Sequence, residues 1–222
     1  MEKSGDQIRF NINNAKFSTI SHIALNTLSL ILASTSSARK SLLQSAGIPF
    51  QAHRPELDED RLQAEWKHLA AIELAKQLAL AKAMSVSSIF PDHFVLGADQ
   101  TLEFESKVQH KPKSLEQAIE NLRRMSGKQH KLHSAQSIVK NGQIQFSHVS
   151  TATLYMRTLS EGYLMEYAKS QQEALLYSLG GYHFESVGVQ LFETAIGDSH
   201  TIMGLPLLPL LAFLRDRAIM PS

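Results

Sequence analysis

The stretch from Leu30 to Phe50, LILASTSSARKSLLQSAGIPF, leaves the chain few ways to fold. An apolar run, Leu30-Ile31-Leu32, gives way to small hydroxyl residues, Ser34 to Ser37. An Arg39-Lys40 pair then begins a segment with apolar residues at Leu42, Leu43 and Ala46. The pattern predicts a buried strand, a tight loop and a helix that stops at Gly47 and Pro49. Such a junction presents backbone N–H groups and hydroxyls at the positive end of a helix, with Arg39 in the first turn, and phosphate can be held there. Taken alone, the same residues describe equally well a Ser-capped helix that binds nothing. A secretory leader over Ile23 to Ala33 is disfavoured: Asn26, Thr27 and Ser29 interrupt the run, it lies far from Met1, and acidic Glu2 and Asp6 sit where a basic region belongs.

With 222 residues, 43% of them apolar and 19% charged, the chain has material for one large domain or two small lobes. A formal net charge of +1, without basic blocks or stripes, gives no electrostatic case for nucleic acid or membrane as the main partner. The absence of cysteine excludes disulfides, thiolate metal sites and a cysteine nucleophile, and fits a reducing, cytoplasmic setting. No uninterrupted apolar segment approaches the ~20 residues that span a bilayer. The late run Leu205 to Leu214 is broken by Pro206 and Pro209, so a soluble protein is expected.

Residues 1–27 are polar and rich in Asn and Ser, and read as an N-terminal extension without assigned function; 28–222 read as a single domain. After the opening junction, Gln51 to Asp60 is an extended piece entering an acidic loop. Arg61 to Val86 has helical periodicity and predicts two helices or one kinked helix. Phe94-Val95-Leu96 predicts a buried strand, and Gly97-Ala98-Asp99-Gln100 a carboxylate at its end, where side chains meet ligands at the mouths of α/β sheets. A helix from Ser114 to Met125 follows, with Ser114 and Gln117 as a capping box. Strands are expected at Lys131 to Val139 and His148 to Tyr155 around an Asn141-Gly142 turn. Ser160 to Ser170 reads as a helix, Val187 to Glu193 as a strand, Gly197-Asp198 as a turn, and Leu205 to Arg217 as a terminal helix with Pro206 in its first turn. His130 and His133 would face opposite sides of a strand, so no metal pair is expected of them.

Arg39, Lys82 and Lys111 each fall near the start or end of an element, with Glu59 and Asp99 in the loops between. Singly, each basic residue is more often a solvated surface charge, and a lone Asp after a strand is usually a turn or a cap; the ordered set is more specific. The motif Ser36-Ser37-Ala38-Arg39-Lys40-Ser41-Leu42-Leu43 resembles the hallmark of the Maf family of nucleoside triphosphate pyrophosphatases, a strand followed by Ser-x-x-Arg-x-x-x-Leu. Further matches follow in that family's order: Leu57-Asp58-Glu59, Leu78 to Ala83, Gly97-Ala98-Asp99-Gln100, Lys111-Pro112, Ser126-Gly127 with His130, Gly180 to Gly188, and Gly204-Leu205-Pro206. The resemblance runs from about Leu28 to the C-terminus. Gln100, and Glu185 in Gly-Gly-Tyr-His-Phe-Glu, look more like the branch acting on 7-methyl-GTP than the branch preferring dTTP and UTP. The chain departs from the pattern at Ser37 for Pro, Ala38 for Arg or Trp, Ser41 for an acid and Ser186 for Gly.

What the resemblance implies is an α/β fold of the Maf/inosine triphosphatase type: a central curved mixed sheet flanked by helices, in two lobes with the active-site cleft between them. It implies hydrolysis of standard or modified nucleoside triphosphates to the monophosphate and pyrophosphate, a nucleotide-pool house-cleaning role. A triphosphate carries about four negative charges, so cations must surround it and acids must hold a divalent metal. The expected roles are Ser36, Arg39, Lys82 and Lys111 on the phosphates, Gln100 and Glu185 on the base, with Glu185 equally well read as a structural partner of a nearby backbone N–H, and Glu59 and Asp99 on Mg²⁺, with Mn²⁺ as an alternative. Asp99 would also activate the attacking water, with Arg39 and Lys111 stabilising the transition state. A homodimer is compatible with the resemblance. The rival expectation is a non-catalytic nucleotide-binding regulator of cell division and septum formation, which would not need a water-activating carboxylate.

Overall fold

The computed structural model describes residues 30–220. The extension assigned to 1–27 lies outside the described residues. From the start of β1 (Leu30–Ala33) the chain enters α1 (Ser37–Ser45), β2 (Gln51–His53), α2 (Glu59–Glu65), α3 (Ala71–Ser87), β3 (Phe94–Phe104) and β4 (Lys107–Gln109). It continues through α4 (Leu115–Met125), β5 (Gln129–Lys140), β6 (Gln143–Met156), α5 (Glu161–Ser170), α6 (Gln172–Tyr177), β7 (Phe192–Ile196), α7 (Ser199–Ile202) and α8 (Leu207–Asp216). One seven-stranded mixed sheet, ordered β2-β1-β3-β5-β6-β7 with β4 also on β3, carries helices on both faces. The expected α/β class with a central mixed sheet is the class observed. Among the described residues no helix is long and apolar enough to cross a membrane.

Alternation along the two long central strands assigns the faces. Val95, Gly97, Asp99 and Thr101 of β3 turn toward α3, where Thr101 Oγ1 donates to Ala71 O at 2.8 Å. The other face carries two separate apolar clusters. One joins Leu30, Leu32, Leu96 and Ile138 to α1 and α8. The second joins Leu102, Leu132 and Leu154 to α4, α5 and α6. Two cores on one sheet face, at opposite ends of β3 and β5, leave a depression between them.

The edge of β3 explains where that depression opens. β1 runs parallel to β3 only as far as Ala33 opposite Gly97, and β4 runs antiparallel to it only from Leu102 onward. Among the described residues nothing pairs with Ala98 to Thr101 on that edge, so the sheet has a notch there. The expectation of Asp99 at the end of a strand is therefore corrected. Gly97-Ala98-Asp99 looks like a strand terminator, but β5 pairs with β3 from Val95 to Glu103 without a break and carries the strand through. Asp99 sits just past the end of its parallel neighbour, at the kind of switch point where open sheets bind ligands.

Local chemistry accounts for most of the boundaries. Ser36 Oγ accepts from Arg39 N, and α1 ends with Gly47 at φ +66° and Ile48 N donating to Leu43 O. Asn141 (φ 51°) and Gly142 (φ 69°) make the two-residue turn between β5 and β6. Ser114 caps α4 through Gln117 N, but the Gln117 amide oxygen accepts from Lys113 N instead of closing the capping box. Two further expectations change. Val187–Leu191 is a 3-10 turn and the strand begins only at Phe192, because Gly188 lies so close to His183 O that a Cβ there would sit 2.5 Å from it. Pro206 is the N-cap of α8, not part of its first turn.

Candidate active site

The notch and the gap between the two cores merge into one cavity of about 470 Å³. Its first wall is the β1–α1 junction, Ser34 to Arg39, joined by Glu59, Lys82, Asp99, Gln100 and Lys111. Its second wall is the segment from Glu173 to Glu185, and Ile202 to Gly204 lie along it as well. Every residue assigned to the site from sequence lines this cavity.

Lys82 is the centre of the first wall. Its ammonium donates to Asp99 Oδ1 at 2.6 Å and lies 2.9 Å from Glu59 Oε2. Lys82 and Asp99 are 6% and 7% exposed, so this is a buried pair with Glu59 at the more open side. Neither Lys82 nor Glu59 lies where expected: Lys82 is in the middle of α3, and Glu59 opens α2 instead of ending a loop. Lys82 reaches Asp99 because α3 lies almost against β3. A Cβ on Gly97 would stand 2.1 Å from Ala79 O and 2.5 Å from Ala83 N, and glycine is what allows that approach. Burial pushes the Asp99 carboxyl above the usual aspartate range, with the charges of Lys82 and Arg39 pulling it back in part.

Arg39 is held from several directions. Its Nε donates to Gly204 O at 3.0 Å and one terminal nitrogen to Ser34 Oγ at 3.4 Å. Ser34 Oγ also accepts from Ser36 N at 3.2 Å. Burial lowers the guanidinium from its ordinary value while Asp99 and Glu59 oppose that shift; an arginine keeps its charge throughout. The Gly204 carbonyl is placed in turn by Gln100. The Gln100 amide nitrogen faces Ser134 Oγ at 2.9 Å, Thr201 O at 3.0 Å and Ile202 O at 2.9 Å, so it stitches β3 and β5 to the turn that anchors Arg39. Its amide oxygen is the atom left for a ligand.

Lys111 stands exposed between β4 and α4, an arm at the rim of the cavity. Glu185 is exposed on the second wall. Ser34, Glu173, Tyr177, Tyr182 and Gly204 were not singled out from sequence. The hydroxyl cluster, the Gly-Leu-Pro motif and the Gly-Gly-Tyr-His-Phe-Glu motif were the available signals for Ser34, Gly204 and Tyr182; nothing in the sequence marked Glu173 or Tyr177. His130 and His133 do face opposite sides. His130 Nε2 is 2.6 Å from Tyr182 Oη, while His133 meets Thr151 Oγ1 and Glu103. Burial lowers His130 to about 4 and raises Tyr182.

The donor set suits a hard divalent cation. Glu59 and Asp99 oxygens already converge on one positive charge, the Lys82 ammonium, and two carboxylates completed by phosphate oxygens are a typical Mg²⁺ environment. Among the described residues no group of three or more His, Asp or Glu side chains could cage a metal unaided, so such an ion would come with the phosphates.

Residues 29–217 match the family model described as Maf-like protein. A nucleoside triphosphate pyrophosphatase of Rhodopseudomonas palustris (strain BisB18) is 42% identical over 89% of this chain and 98% of its own length. A 7-methyl-GTP pyrophosphatase of Rhizobium meliloti (strain 1021) is 42% identical over 84% of this chain and 95% of its own. Another protein so named, from Rhizobium etli, is 43% identical over 86% and 96%. A Ham1 protein of Staphylococcus aureus superposes with a TM-score of 0.38 at 15% identity, over 58% of this chain and 70% of its own, too loosely to carry an argument.

Proposed function

This chain belongs to the Maf family, and from that premise we propose that it hydrolyses nucleoside triphosphates to the monophosphate and pyrophosphate by attack of water on the α-phosphorus. The observation that carries the reading is the buried Asp99–Lys82 pair, with Glu59 on its more open side and Arg39 lining the same cavity. A binding protein needs cations for a triphosphate; it does not need a buried carboxylate with an elevated pKa beside them.

Asp99 takes the proton of the attacking water. Its raised pKa makes it a stronger base than a solvated aspartate. Lys82 holds that carboxylate in one place and, with Arg39 and Lys111, offsets the charge of the triphosphate. Ser36 and the first backbone N–H groups of α1, which the helix leaves without partners, grip phosphate oxygens. Glu59 and Asp99 would hold a divalent cation, Mg²⁺ or else Mn²⁺, which when bound neutralises phosphate charge and polarises the P–O bonds. Pyrophosphate leaves past the exposed Lys111. The relatives named for 7-methyl-GTP, together with Glu185 and the Gln100 carbonyl in the cavity, favour a modified purine as the base.

The test is hydrolysis of a nucleoside triphosphate in ¹⁸O-labelled water with Mg²⁺. Label in the monophosphate and none in pyrophosphate supports attack at the α-phosphorus. Release of orthophosphate, or no turnover of any triphosphate, rejects the reading.

A further inference from the structure

The two walls of the cavity differ in kind. The first is ionic; the second contributes Tyr177, Leu179, Tyr182 and Phe184, with Glu173 and Glu185 among them. Three of these four apolar or aromatic side chains are partly or fully packed into the core beside β5 and β6. Tyr177 is not. It closes α6, lines the cavity, and is 69% exposed, and its ring and hydroxyl have no aromatic or hydrogen-bond partner among the described residues. The wall behind it is fixed: Tyr182 is buried against Gly180 and bonded to His130, and Tyr167 Oη donates to Gly181 O at 3.1 Å.

We propose that Tyr177 is the base-stacking residue of this cavity, and that Glu173 and Glu185 beside it make this end prefer a purine carrying positive charge over its neutral parent. This rests on the function proposed above. A free aromatic face bordering a cavity that binds phosphate at its other end is a platform for a nucleobase, since every base has a π-face to stack. N7-methylation gives guanine a positive charge, and such a ring is attracted both to the face of an aromatic side chain and to nearby carboxylates. None of the three residues belongs to the phosphate wall, so discrimination here acts on KM more than on kcat.

The experiment measures kcat/KM for 7-methyl-GTP and GTP in the wild type, Tyr177→Ala, Tyr177→Phe and the Glu173→Gln/Glu185→Gln double variant, with calorimetric titration of 7-methyl-GMP and GMP alongside. Tyr177→Ala should lower kcat/KM for 7-methyl-GTP about tenfold or more, through KM, and Tyr177→Phe should recover most of the loss. The double variant should shrink the ratio of 7-methyl-GTP to GTP. Tyr177→Ala with unchanged KM and unchanged 7-methyl-GMP affinity overturns the stacking role, and an unaltered ratio in the double variant overturns the charge preference. A wild type that turns over no triphosphate rejects the proposed function instead, and the monophosphate titrations then still decide the stacking role.

Discussion

The phosphate end and the base end of the cavity are built by opposite strategies. At the phosphate end three of the charged groups are fixed by regular structure, with only Lys111 on an exposed connection: Asp99 by a strand paired with β5 from Val95 to Glu103, Lys82 by the middle of a seventeen-residue helix, Arg39 by the first turn of α1 and the Gly204 carbonyl. At the base end the lining comes from a six-residue helix and an irregular segment, pinned from behind by buried tyrosines and a neutral histidine. On the proposed reading, chemistry, which requires sub-ångström placement, falls to the sheet, and recognition of the base to a segment that can vary without disturbing it.

The sharpest way to break this contrast is to remove charge at the phosphate end. Arg39→Ala or Lys111→Ala should each slow pyrophosphate release about 10²–10³-fold, while urea unfolding of the exposed Lys111 variant stays as in the wild type. Wild-type rates in both would remove the site from this cavity. The supports of the base end should answer to acid instead. His130 is buried neutral with its pKa depressed to about 4 against an ordinary 6.5, so the stability it contributes is complete above 6.5 and is lost as pH falls from there toward 4. The loss amounts to about 3 kcal/mol and is read from urea midpoints across that window. His130→Gln, which takes up no proton, should show a shallower slope.

Gly97→Ala perturbs the phosphate end indirectly, through the packing of α3 on β3. A methyl group there must push α3 away from β3, costing about 1–3 kcal/mol of stability and moving Lys82 off Asp99, so thermal stability and turnover should fall together. Tyr182→Phe has the smallest expected effect. It removes the hydroxyl bonded to His130, costs about 1–2 kcal/mol by denaturant titration, and should raise KM before it changes kcat.

The phosphate end was also the more legible in sequence. Small polar residues between an apolar run and an Arg-led amphipathic segment describe β1, its loop and α1 well, and Asn141-Gly142 could hardly be anything but a hairpin turn. Tertiary context overrode local signals elsewhere. Gly97 looks like a strand stop because glycine ends many strands, but its purpose is the close approach of α3, which no pattern in β3 encodes. Lys82 reads as one more charge in an Ala-rich helix, and only the contact across from Asp99 reveals it as buried. Helix α6 is too short for periodicity to show, and Tyr177 at its end was invisible for that reason. The Val187 to Glu193 run has strand composition, yet packing of Gly188 against His183 tightens its first part into a 3-10 turn.

On the proposed mechanism Asp99, buried beside Lys82, is the base. The most direct measurement is the pH dependence of kcat/KM for pyrophosphate release in the wild type and Asp99→Asn. Because burial raises the Asp99 pKa, the acid limb of the wild-type profile should lie above the ordinary aspartate range, with activity lost as pH falls through it. The folded Asp99→Asn protein should lose about 10²–10⁴ in rate and show no such limb. A mutant that keeps both the rate and the limb would contradict the account.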